Sequence, residues 1–222
     1  MITHGILPAA GLATRLRRLP KFLLPSDDDA RTLIECHIEA LEAVCDVIWL
    51  PVRPDLIQLV HDLQLGQKII PVALSTKSMT ETVLRITSIS AADRFILGMP
   101  DTGFVGEYPY LYLAQAIEDS NLSLALWNTH ENQRGKVGSV EFENGHILNS
   151  IDKNYDSKYP LHWGAMSFDR EFISILNYEM PHTGYGIREA IAANLVISAS
   201  VMTGEYFDCG TFSEYRRFLL VK

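Results

Sequence analysis

The first hundred residues alternate short, unbroken apolar runs with segments of helical periodicity. The apolar runs cover residues 5–8, 47–52 and 95–97, a further predicted strand covers residues 68–74, and the helical segments cover residues 31–45 and 54–65. Strands that are apolar on both faces are typical of parallel sheets with helices on both sides. Because strand–helix–strand crossovers are right-handed, the pattern predicts an α/β fold with a doubly wound, mostly parallel sheet.

The first apolar run ends in a loop of small residues that is followed by fixed positive charges. Ala9, Ala10 and Gly11 let backbone N–H groups approach a ligand closely, because they carry little or no side chain. Arg15 can bind phosphate oxygens in a bidentate manner, and Lys21 can act as a point charge. The loop therefore predicts a phosphate-binding site. It is not a Walker loop, because no Gly-Lys-Ser/Thr follows the glycine.

Two segments here resemble the signature of the sugar-1-phosphate nucleotidyltransferases, or nucleotide-sugar pyrophosphorylases, of which glucose-1-phosphate thymidylyltransferase and uridylyltransferase are typical. They are residues 7–16 (LPAAGLATRL) and 20–25 (PKFLLP). Residues 94–103, 134–167 and 205–213 resemble further segments of the family. The resemblance implies a Rossmann-like nucleotidyltransferase fold with an antiparallel addition in its second half. It also implies Mg²⁺ as cofactor, with a nucleoside triphosphate and a sugar 1-phosphate as substrates.

Two aspartates follow predicted strands and are the candidate metal ligands. Asp101 lies just beyond the apolar run at 95–97, and Asp208 lies in the segment YFDCGT at 206–211. The resembled family has a Mg²⁺-binding aspartate at both places, so the resemblance implies that Asp101 and Asp208 bind Mg²⁺. The alternatives are that Asp101 forms a turn or caps a helix, and that Asp208 caps the predicted helix at 211–219.

The resemblance also assigns catalytic and nucleotide-binding residues. In this interpretation Arg15 stabilises the leaving pyrophosphate and Lys21 binds the α-phosphate, and both act in catalysis with the two aspartates. Thr80 lies near the loop that reads the base in the family, but either Ser78 or Thr80 could instead cap a helix. The residues expected to contact the nucleotide are Ala10, Gly11, Thr14, Arg15 and Thr80.

The second half of the chain introduces antiparallel strands. Residues 137–142 and 146–151 are short alternating runs, and the Asn-Gly pair at 144–145 is a strong hairpin signal. We therefore expect an antiparallel addition to the parallel sheet of the first half.

The resemblance places the sugar-phosphate site in this second half. We expect one domain over residues 1–222, with a nucleotide-binding part at about 1–128 and a sugar-phosphate-binding part at about 129–222. The expected sugar-phosphate-binding residues are Gly138, Asp152, Lys153 and Gly164. Lys153 would orient the attacking phosphate and Asp152 would bind a sugar hydroxyl, although each could instead be a surface charge. The two glycines would let the sugar approach the backbone.

Composition excludes several functional classes. A formal net charge of −8 over 222 residues argues against a nucleic-acid-binding protein. No stretch approaches the ~20 apolar residues that span a membrane. Cys36, Cys45 and Cys209 lack metal-like spacing, and their odd number favours a reducing compartment. We expect a cytoplasmic protein without a signal peptide or an appended domain. The sequence identifies no oligomeric state.

The sequence favours an enzyme that transfers a nucleotidyl group. We predict Mg²⁺-dependent transfer from a nucleoside triphosphate to a sugar 1-phosphate, with release of pyrophosphate. One alternative is a cytidylyltransferase that acts on a phosphorylated alcohol or phosphocholine, because Ala-Ala-Gly openings also occur in such enzymes. Another is a non-catalytic nucleotide-sugar sensor, because Ala13, Met79 and Asn154 depart from the family pattern. The pattern identifies neither the base nor the sugar.

Overall fold

A computed structural model describes residues 1–11, 19–27 and 29–222 of the chain. Its strands are β1 Thr3–Ile6, β2 Val47–Val52, β3 Ile69–Ala73, β4 Arg94–Leu97, β5 Thr102–Val105, β6 Leu122–Asn128, β7 Gly138–Glu143, β8 His146–Asp152, β9 Leu161–Asp169, β10 Ile197–Val201 and β11 Glu205–Asp208. Its α-helices are α1 Leu33–Glu42, α2 Ile57–Asp62, α3 Met79–Ile89, α4 Tyr110–Ala116, α5 Arg170–Ile175, α6 Tyr185–Ala192 and α7 Phe212–Val221.

The main sheet has a parallel half and a mixed half. In the described part of the chain its strand order is β10-β6-β9-β4-β1-β2-β3, with the β7–β8 hairpin attached to β9. β3, β2, β1 and β4 are parallel to one another. β9 is antiparallel to both β4 and β6, and β10 is parallel to β6. The predicted α/β fold is confirmed, but the sequence did not predict the insertion of β9 between β4 and β6.

Both faces of the parallel strands β1, β2 and β4 are mostly buried, whereas the edge strand β3 is partly exposed. In β4, Phe95 and Leu97 belong to one apolar cluster and Ile96 belongs to the other. The first cluster also includes residues of α3, α5 and α6, whereas the second includes residues of α1, α2 and α4. This arrangement is the physical reason for the unbroken apolar runs in the sequence. Since helices cover both faces, the carboxyl ends of the strands remain as the place where a ligand can bind.

The predicted Asn-Gly hairpin is confirmed. Glu143 pairs with His146, so the loop between β7 and β8 has two residues. Asn144 has φ 51° and Gly145 has φ 85°, as a type I′ turn requires at both central positions. The hairpin extends the sheet on the side of β9, because Gly138 to Val140 also pair with β9.

A separate two-stranded sheet pairs β5 with β11 in antiparallel orientation. β11 is the aromatic strand that the sequence indicated before Asp208. Neither β5 nor β10 was predicted. β5 has four residues and β10 contains two serines within five residues, so neither has a strong apolar pattern.

The three cysteines are buried free thiols that pack as small apolar side chains. Burial raises the pKa of the Cys45 and Cys209 thiols to about 12, which keeps them protonated at neutral pH. No helix in the described ranges is both long enough and apolar enough to span a membrane.

Candidate active site

A cavity of about 750 Å³ opens where the parallel strands of the main sheet end. The loops that follow β1, β3 and β4 form one side, and β7, β8, β9 and β11 contribute the other. Its charged lining includes Lys21, Asp101 and Asp208 together with Asp152 and Lys153. The fold therefore brings both groups of predicted site residues to one cavity, at the edge where ligands bind in such sheets.

The β5–β11 pair brings the two candidate metal ligands to the same place. Asp208 is opposite Thr102 in this pair, and the backbone N–H of Cys209 donates to the carbonyl oxygen of Asp101 at 3.1 Å. The N–H of Thr102 donates to the carbonyl of Met99 at 3.0 Å, so Asp101 lies in a tight turn between β4 and β5. The turn holds the aspartate at the cavity, so the turn that the sequence offered as an alternative is compatible with a metal ligand at this position.

Asp208 does not cap the last helix. Thr211 is the N-cap of α7, because its side chain accepts a hydrogen bond from the N–H of Glu214. Asp208 Oδ1 instead accepts from the N–H of Gly210 at 2.9 Å. This hydrogen bond fixes the carboxylate against the loop that leads into α7.

Lys21 pairs with Asp101 and lies near Gly210, the residue that binds Asp208. Its Nζ is 3.1 Å from Asp101 Oδ2, and the two side chains are 20% and 31% exposed. A Cβ at Gly210 would lie 3.2 Å from Lys21 Nζ and 2.6 Å from Asp208 Oδ1, so the missing side chain of Gly210 leaves room for both. The cation and the two acids therefore share one partly exposed corner of the cavity.

The negative charges of Asp101 and Asp208 both raise the pKa values of neighbouring side chains. Burial raises the pKa of the Tyr206 hydroxyl, and the charges of Asp208 and Asp101 raise it further. Burial and the charge of Asp101 are also the main causes of the raised pKa of Cys209. Two negative charges thus converge at this corner, where a cation would be stabilised.

The carboxylate oxygens of Asp101 and Asp208 are suitable ligands for Mg²⁺. Carboxylate oxygens are the hard ligands that Mg²⁺ prefers, and Mg²⁺ is commonly bound by one or two carboxylates with water and substrate phosphates completing its shell. Among the residues that the structure describes, no group of three or more acidic, histidine or cysteine side chains could hold a metal ion. Asp101 and Asp208 therefore fit a metal that is shared with a phosphorylated substrate.

The start of the predicted phosphate-binding loop is held by the sheet. The N–H of Ala9 donates to the carbonyl of Pro51 at 2.9 Å, so the chain continues alongside β2 after β1 ends. Ala10 and Gly11 line the cavity, and a Cβ at Gly11 would meet no atom within 4 Å. Thr14 and Arg15, which were predicted to contact the nucleotide, lie outside the described residues.

The structure does not bring Thr80 to the cavity. Thr80 is fully buried in the first turn of α3, and its hydroxyl has no hydrogen-bond partner. Ser78 caps α3 by accepting from the N–H of Glu81 at 3.0 Å, which is the alternative that the sequence left open. The residues of this segment that line the cavity include Lys77, Ser78 and Met79. A role of this segment towards the nucleotide therefore falls on these residues rather than on Thr80.

Lys153 lines the opposite side of the cavity. It has φ 50°, and its N–H donates to the carbonyl of Val137 at 3.1 Å, so the chain leaves β8 in a fixed direction. Lys153 Nζ contacts His182 Nε2. Burial lowers the pKa of His182 to about 4 and the charge of Lys153 lowers it too, so the neutral imidazole accepts from the ammonium group.

The two predicted glycines have different structural roles. Gly138 lies in β7 between Asp152 of β8 and Trp163 of β9. Gly164 also lines the cavity, but a Cβ there would lie 2.5 Å from the Tyr206 ring. Gly164 therefore makes room for Tyr206, whereas the sequence suggested that it makes room for the sugar.

Some lining residues were missed by the sequence interpretation. Lys77 and Lys136 add positive charge, and Trp163 and His182 lie beside Asp152 and Lys153. Arg53 lines a smaller cavity next to the main one, together with Lys21 and Asp101, and donates to the carbonyl of Gly11 at 3.4 Å. Arg53 and Lys77 follow strands of the parallel sheet, so the rule that ligands bind at strand ends could have identified them.

No protein-family model and no curated protein sequence matches this chain. Several solved structures match its fold over nearly its whole length. A protein from Bacillus anthracis assigned as a glucose-1-phosphate thymidylyltransferase has a TM-score of 0.82 and 17% identity, with 99% of this chain and 94% of that chain covered. A UDP-glucose pyrophosphorylase in complex with UDP-glucose has a TM-score of 0.81 and 18% identity, with 98% and 97% covered. The inositol-1-phosphate CTP transferase from T. maritima has a TM-score of 0.77 and 14% identity, with 98% and 94% covered.

These comparisons confirm the fold expected from the sequence resemblance. The three solved structures are described as nucleotidyltransferases or pyrophosphorylases, and each aligns with this chain from end to end. At identities of 14–18% the likeness establishes a shared fold. The chemistry must be argued from the side chains in the cavity.

Proposed function

We propose, from the fold that this chain shares with solved nucleotidyltransferases, that it transfers a nucleotidyl group from a nucleoside triphosphate to a sugar 1-phosphate. The products are a nucleotide sugar and pyrophosphate. The reaction depends on Mg²⁺, for which Asp101 and Asp208 are the protein ligands.

The observation that carries this proposal is the convergence of opposite charges in one cavity. Lys21, Asp101 and Asp208 occupy one corner, and Lys153 lines the opposite side together with His182. A phosphoryl-type transfer needs cations that neutralise phosphate oxygens and carboxylates that hold a divalent metal. The two groups of side chains supply both requirements for two phosphorylated substrates.

The proposed reaction is an in-line displacement. A phosphate oxygen of the acceptor forms a bond to the α-phosphorus of the triphosphate, while the bond from that phosphorus to the oxygen that bridges to the β-phosphate breaks. The electron pair leaves with pyrophosphate. The attacking phosphate is already ionised, so no general base is needed and positioning with charge neutralisation dominates.

Different residues position the different parts of the two substrates. Lys21 leaves its ion pair with Asp101 and binds the α-phosphate of the nucleotide. Lys153 orients the attacking phosphate of the acceptor. Backbone groups of Ala10 and Gly11 contact the base, and Arg15 stabilises the leaving pyrophosphate, as the sequence resemblance implies. A bound Mg²⁺ supplies further neutralisation of the phosphate oxygens.

The proposal keeps a single domain with two functional parts. The nucleotide-binding part is assigned to about residues 1–128 and the sugar-phosphate-binding part to about residues 129–222. The cysteine content favours the cytoplasm as the location.

A second candidate is cytidylyl transfer to a phosphorylated alcohol. The likeness to an inositol-1-phosphate CTP transferase supports it, as does the Ala-Ala-Gly opening. A non-catalytic nucleotide-sugar sensor would use the same cavity without turnover. The cations and carboxylates on both sides of the cavity favour catalysis over sensing.

The test is pyrophosphate release in the presence of Mg²⁺. UTP, dTTP, CTP, ATP and GTP are each combined with a panel of sugar 1-phosphates, inositol 1-phosphate and phosphocholine. Release that requires one nucleotide and one sugar 1-phosphate supports the proposal and identifies both substrates. Release with CTP and an alcohol phosphate supports the second candidate. Nucleotide binding by calorimetry without release in any combination contradicts catalysis.

A further inference from the structure

A buried histidine and a buried tyrosine pack against the turn that carries Asp101. His37 belongs to α1 and Tyr110 to α4, and both side chains are fully buried. His37 Nδ1 and the Tyr110 hydroxyl form a hydrogen bond. Neither residue lines the cavity, so neither can touch a substrate or a metal ion bound there.

The histidine and the tyrosine contact both ends of this turn. The turn runs from Gly98, which follows β4, to Thr102, the first residue of β5. At its second end, His37 Nε2 lies 2.9 Å from the carbonyl oxygen of Thr102. At its first end, the Tyr110 hydroxyl occupies the space that a Cβ of Gly98 would fill. The two ends of the turn therefore rest on one hydrogen-bonded pair of side chains.

The hydrogen-bond roles within this pair are fixed. A carbonyl oxygen can only accept, so His37 Nε2 carries the proton and donates to Thr102. Burial lowers the pKa of His37 to about 4, so the ring is neutral at neutral pH and its Nδ1 accepts from the Tyr110 hydroxyl. Both ring nitrogens and the hydroxyl thus have partners, as buried polar groups require.

The surroundings of the pair are apolar. The His37 ring lies 5.7 Å from the Phe104 ring and 5.3 Å from the Tyr108 ring, and Tyr110 belongs to the larger apolar cluster. Buried polar groups are unfavourable unless they are hydrogen-bonded, and a fully bonded network specifies one arrangement of the groups that it joins. The pair therefore fixes the position of the Thr102 carbonyl, and with it the backbone next to Asp101.

Other hydrogen bonds fix the turn from the opposite side. The N–H of Cys209 donates to the carbonyl of Asp101, and the hydroxyls of Thr102 and Tyr206 are 3.5 Å apart. These contacts join Asp101 to the strand that ends at Asp208. His37 and Tyr110 join it to α1 and α4, so they anchor one candidate metal ligand to the helices of the core.

We propose that His37, together with Tyr110, is a positioning residue that acts through Asp101 and raises the affinity of the site for Mg²⁺. The inference rests on the proposed function, because it takes Asp101 as a ligand of the metal. Residues that orient a metal ligand typically contribute about 10- to 100-fold to metal affinity or activity. His37 bonds the backbone beside Asp101 rather than its carboxylate, so we expect an effect at the lower end of this range.

The first test measures metal affinity without turnover. Mn²⁺ serves as the probe, and EPR spectroscopy measures free Mn²⁺ during titration of the full chain at pH 7.5 with no nucleotide present. Asp101→Asn identifies the part of the binding that belongs to this site. We expect His37→Phe to raise the Kd of that part about tenfold and Tyr110→Phe to raise it less. His37→Gln, whose amide N–H can still donate to Thr102, should recover part of the affinity.

His4→Phe is the matched control. His4 is also buried, and its Nδ1 lies 2.7 Å from the Ser90 hydroxyl and 3.0 Å from Trp49 Nε1. It lies near the amino end of β1 and does not line the cavity. His4→Phe should lower the melting temperature, as His37→Phe does, but should leave the Mn²⁺ affinity unchanged.

A double-mutant cycle separates positioning from a general loss of stability. Pyrophosphate release gives kcat for His37→Phe, for Asp101→Asn and for the double variant. We expect His37→Phe alone to lower kcat about tenfold, but to lower it by less than about twofold when Asp101 is already asparagine. The KM of the acceptor should not change.

The outcomes distinguish this inference from the proposed function. The inference is overturned if His37→Phe and Tyr110→Phe keep the wild-type Mn²⁺ affinity, or if His37→Phe lowers kcat equally with and without Asp101. Tyr110→Phe keeps the aromatic ring and decides the matter by itself if His37→Phe does not fold. In these cases pyrophosphate release by the wild type still supports transfer. If the wild type neither binds Mn²⁺ through Asp101 nor releases pyrophosphate in any combination, the proposed function fails and the inference fails with it.

Discussion

Lys21 and Asp101 partly neutralise one another, and both side chains are partly exposed. An exposed ion pair is worth about 0 to 1 kcal/mol, so a phosphate or a metal ion can replace either partner at little cost. The ion pair therefore holds the Lys21 ammonium group and the Asp101 carboxylate in place, and both remain able to bind a ligand. Gly210 maintains this geometry, since any side chain there would approach Lys21 and Asp208.

Removing one carboxylate charge at this corner should slow turnover. We expect Asp101→Asn and Asp208→Asn to lower kcat by about 10² to 10³, because each loses a preorganised charge while its shape is kept. The measurement is pyrophosphate release at saturating substrates, with circular dichroism to verify folding.

Asp62→Asn is the control for these variants. Asp62 accepts from Gln58 in α2 and does not line the cavity, so its variant should keep full turnover. Wild-type rates with Asp101→Asn and Asp208→Asn would show that neither carboxylate serves the reaction.

Lys153 should contribute to binding of the acceptor rather than of the nucleotide. We expect Lys153→Met to raise the KM of the phosphorylated acceptor about tenfold or more and to leave the KM of the triphosphate unchanged, since a charge-assisted hydrogen bond to phosphate is lost. Lys158→Met, which removes an exposed lysine that does not line the cavity, should change neither constant. An equal rise in both constants for Lys153→Met would contradict this assignment.

The residues that sequence could identify are those fixed by a local pattern. Lys21, Asp101 and Asp208 stand in short motifs directly after strands or a small-residue loop, so their place at the strand ends follows from the chain itself. Trp163 and His182 become neighbours of Asp152 and Lys153 through strand pairing and through a loop. Nothing in their local sequence indicates these contacts.

At the scale of elements, the site depends on where the β5–β11 pair meets α7. Thr211, which caps α7, directly follows the Cys209–Gly210 segment that positions Asp208. The end of the helix thus orients the loop that carries a candidate metal ligand.

Loss of this cap should affect both stability and activity. We expect Thr211→Ala to lower the free energy of unfolding by about 1 kcal/mol and to lower kcat several-fold, because the first turn of α7 loses its side-chain acceptor. Urea unfolding and pyrophosphate release measure the two effects.

Thr32 provides a matched comparison. It caps α1 in a reciprocal capping box with Glu35 and does not line the cavity. Thr32→Ala should lower stability by a similar ~1 kcal/mol but leave kcat unchanged. The same kcat for both variants would show that the α7 cap has no role in the site.

Helices and strands with a strong local sequence pattern were predicted, and those with a weak pattern were missed. The β7–β8 hairpin was predicted because Asn144 and Gly145 adopt the positive φ values that this dipeptide favours. β10 was missed because its residues are half polar and it lies at the edge of the sheet. Strand order was not predictable, since pairing with β9 depends on contacts between distant parts of the chain.

At the scale of the whole molecule, buried histidines link stability to pH. Burial lowers the pKa of His37 and His182 to about 4 and that of His162 to about 3. His37 Nε2 lies 2.9 Å from the carbonyl of Thr102 and must donate to it, so Nδ1 accepts from the Tyr110 hydroxyl in the neutral form. Protonation of His37 would break this arrangement next to Asp101.

Stability should therefore fall in mild acid. Between pH 6.5 and pH 4 the unfolded chain takes up protons on these histidines while the folded chain does not, so the free energy of unfolding decreases as pH is lowered through this window. His37 alone should contribute a loss on the order of 2 kcal/mol between pH 7.5 and pH 5. Urea unfolding at the two pH values measures the change.

Two variants test the source of this pH dependence. His37→Phe should be less stable at pH 7.5 but should lose less stability on acidification, because it has no proton to take up. His146→Gln, which changes an exposed histidine of β8, should keep the wild-type dependence. A wild-type stability that is equal at pH 7.5 and pH 5 would contradict the role of the buried histidines.

The position of β9 has a consequence for how the chain is made. β6 is the next strand of the main sheet after β4 along the chain, but the two strands are joined through β9, which ends at residue 169. On the ribosome, the first hundred and thirty residues are synthesised before the strand that completes their sheet has emerged. Until β9 has been made, the edges of β4 and β6 that pair with it have no partner strand, so we expect a fragment that ends before β9 to aggregate when it is expressed alone.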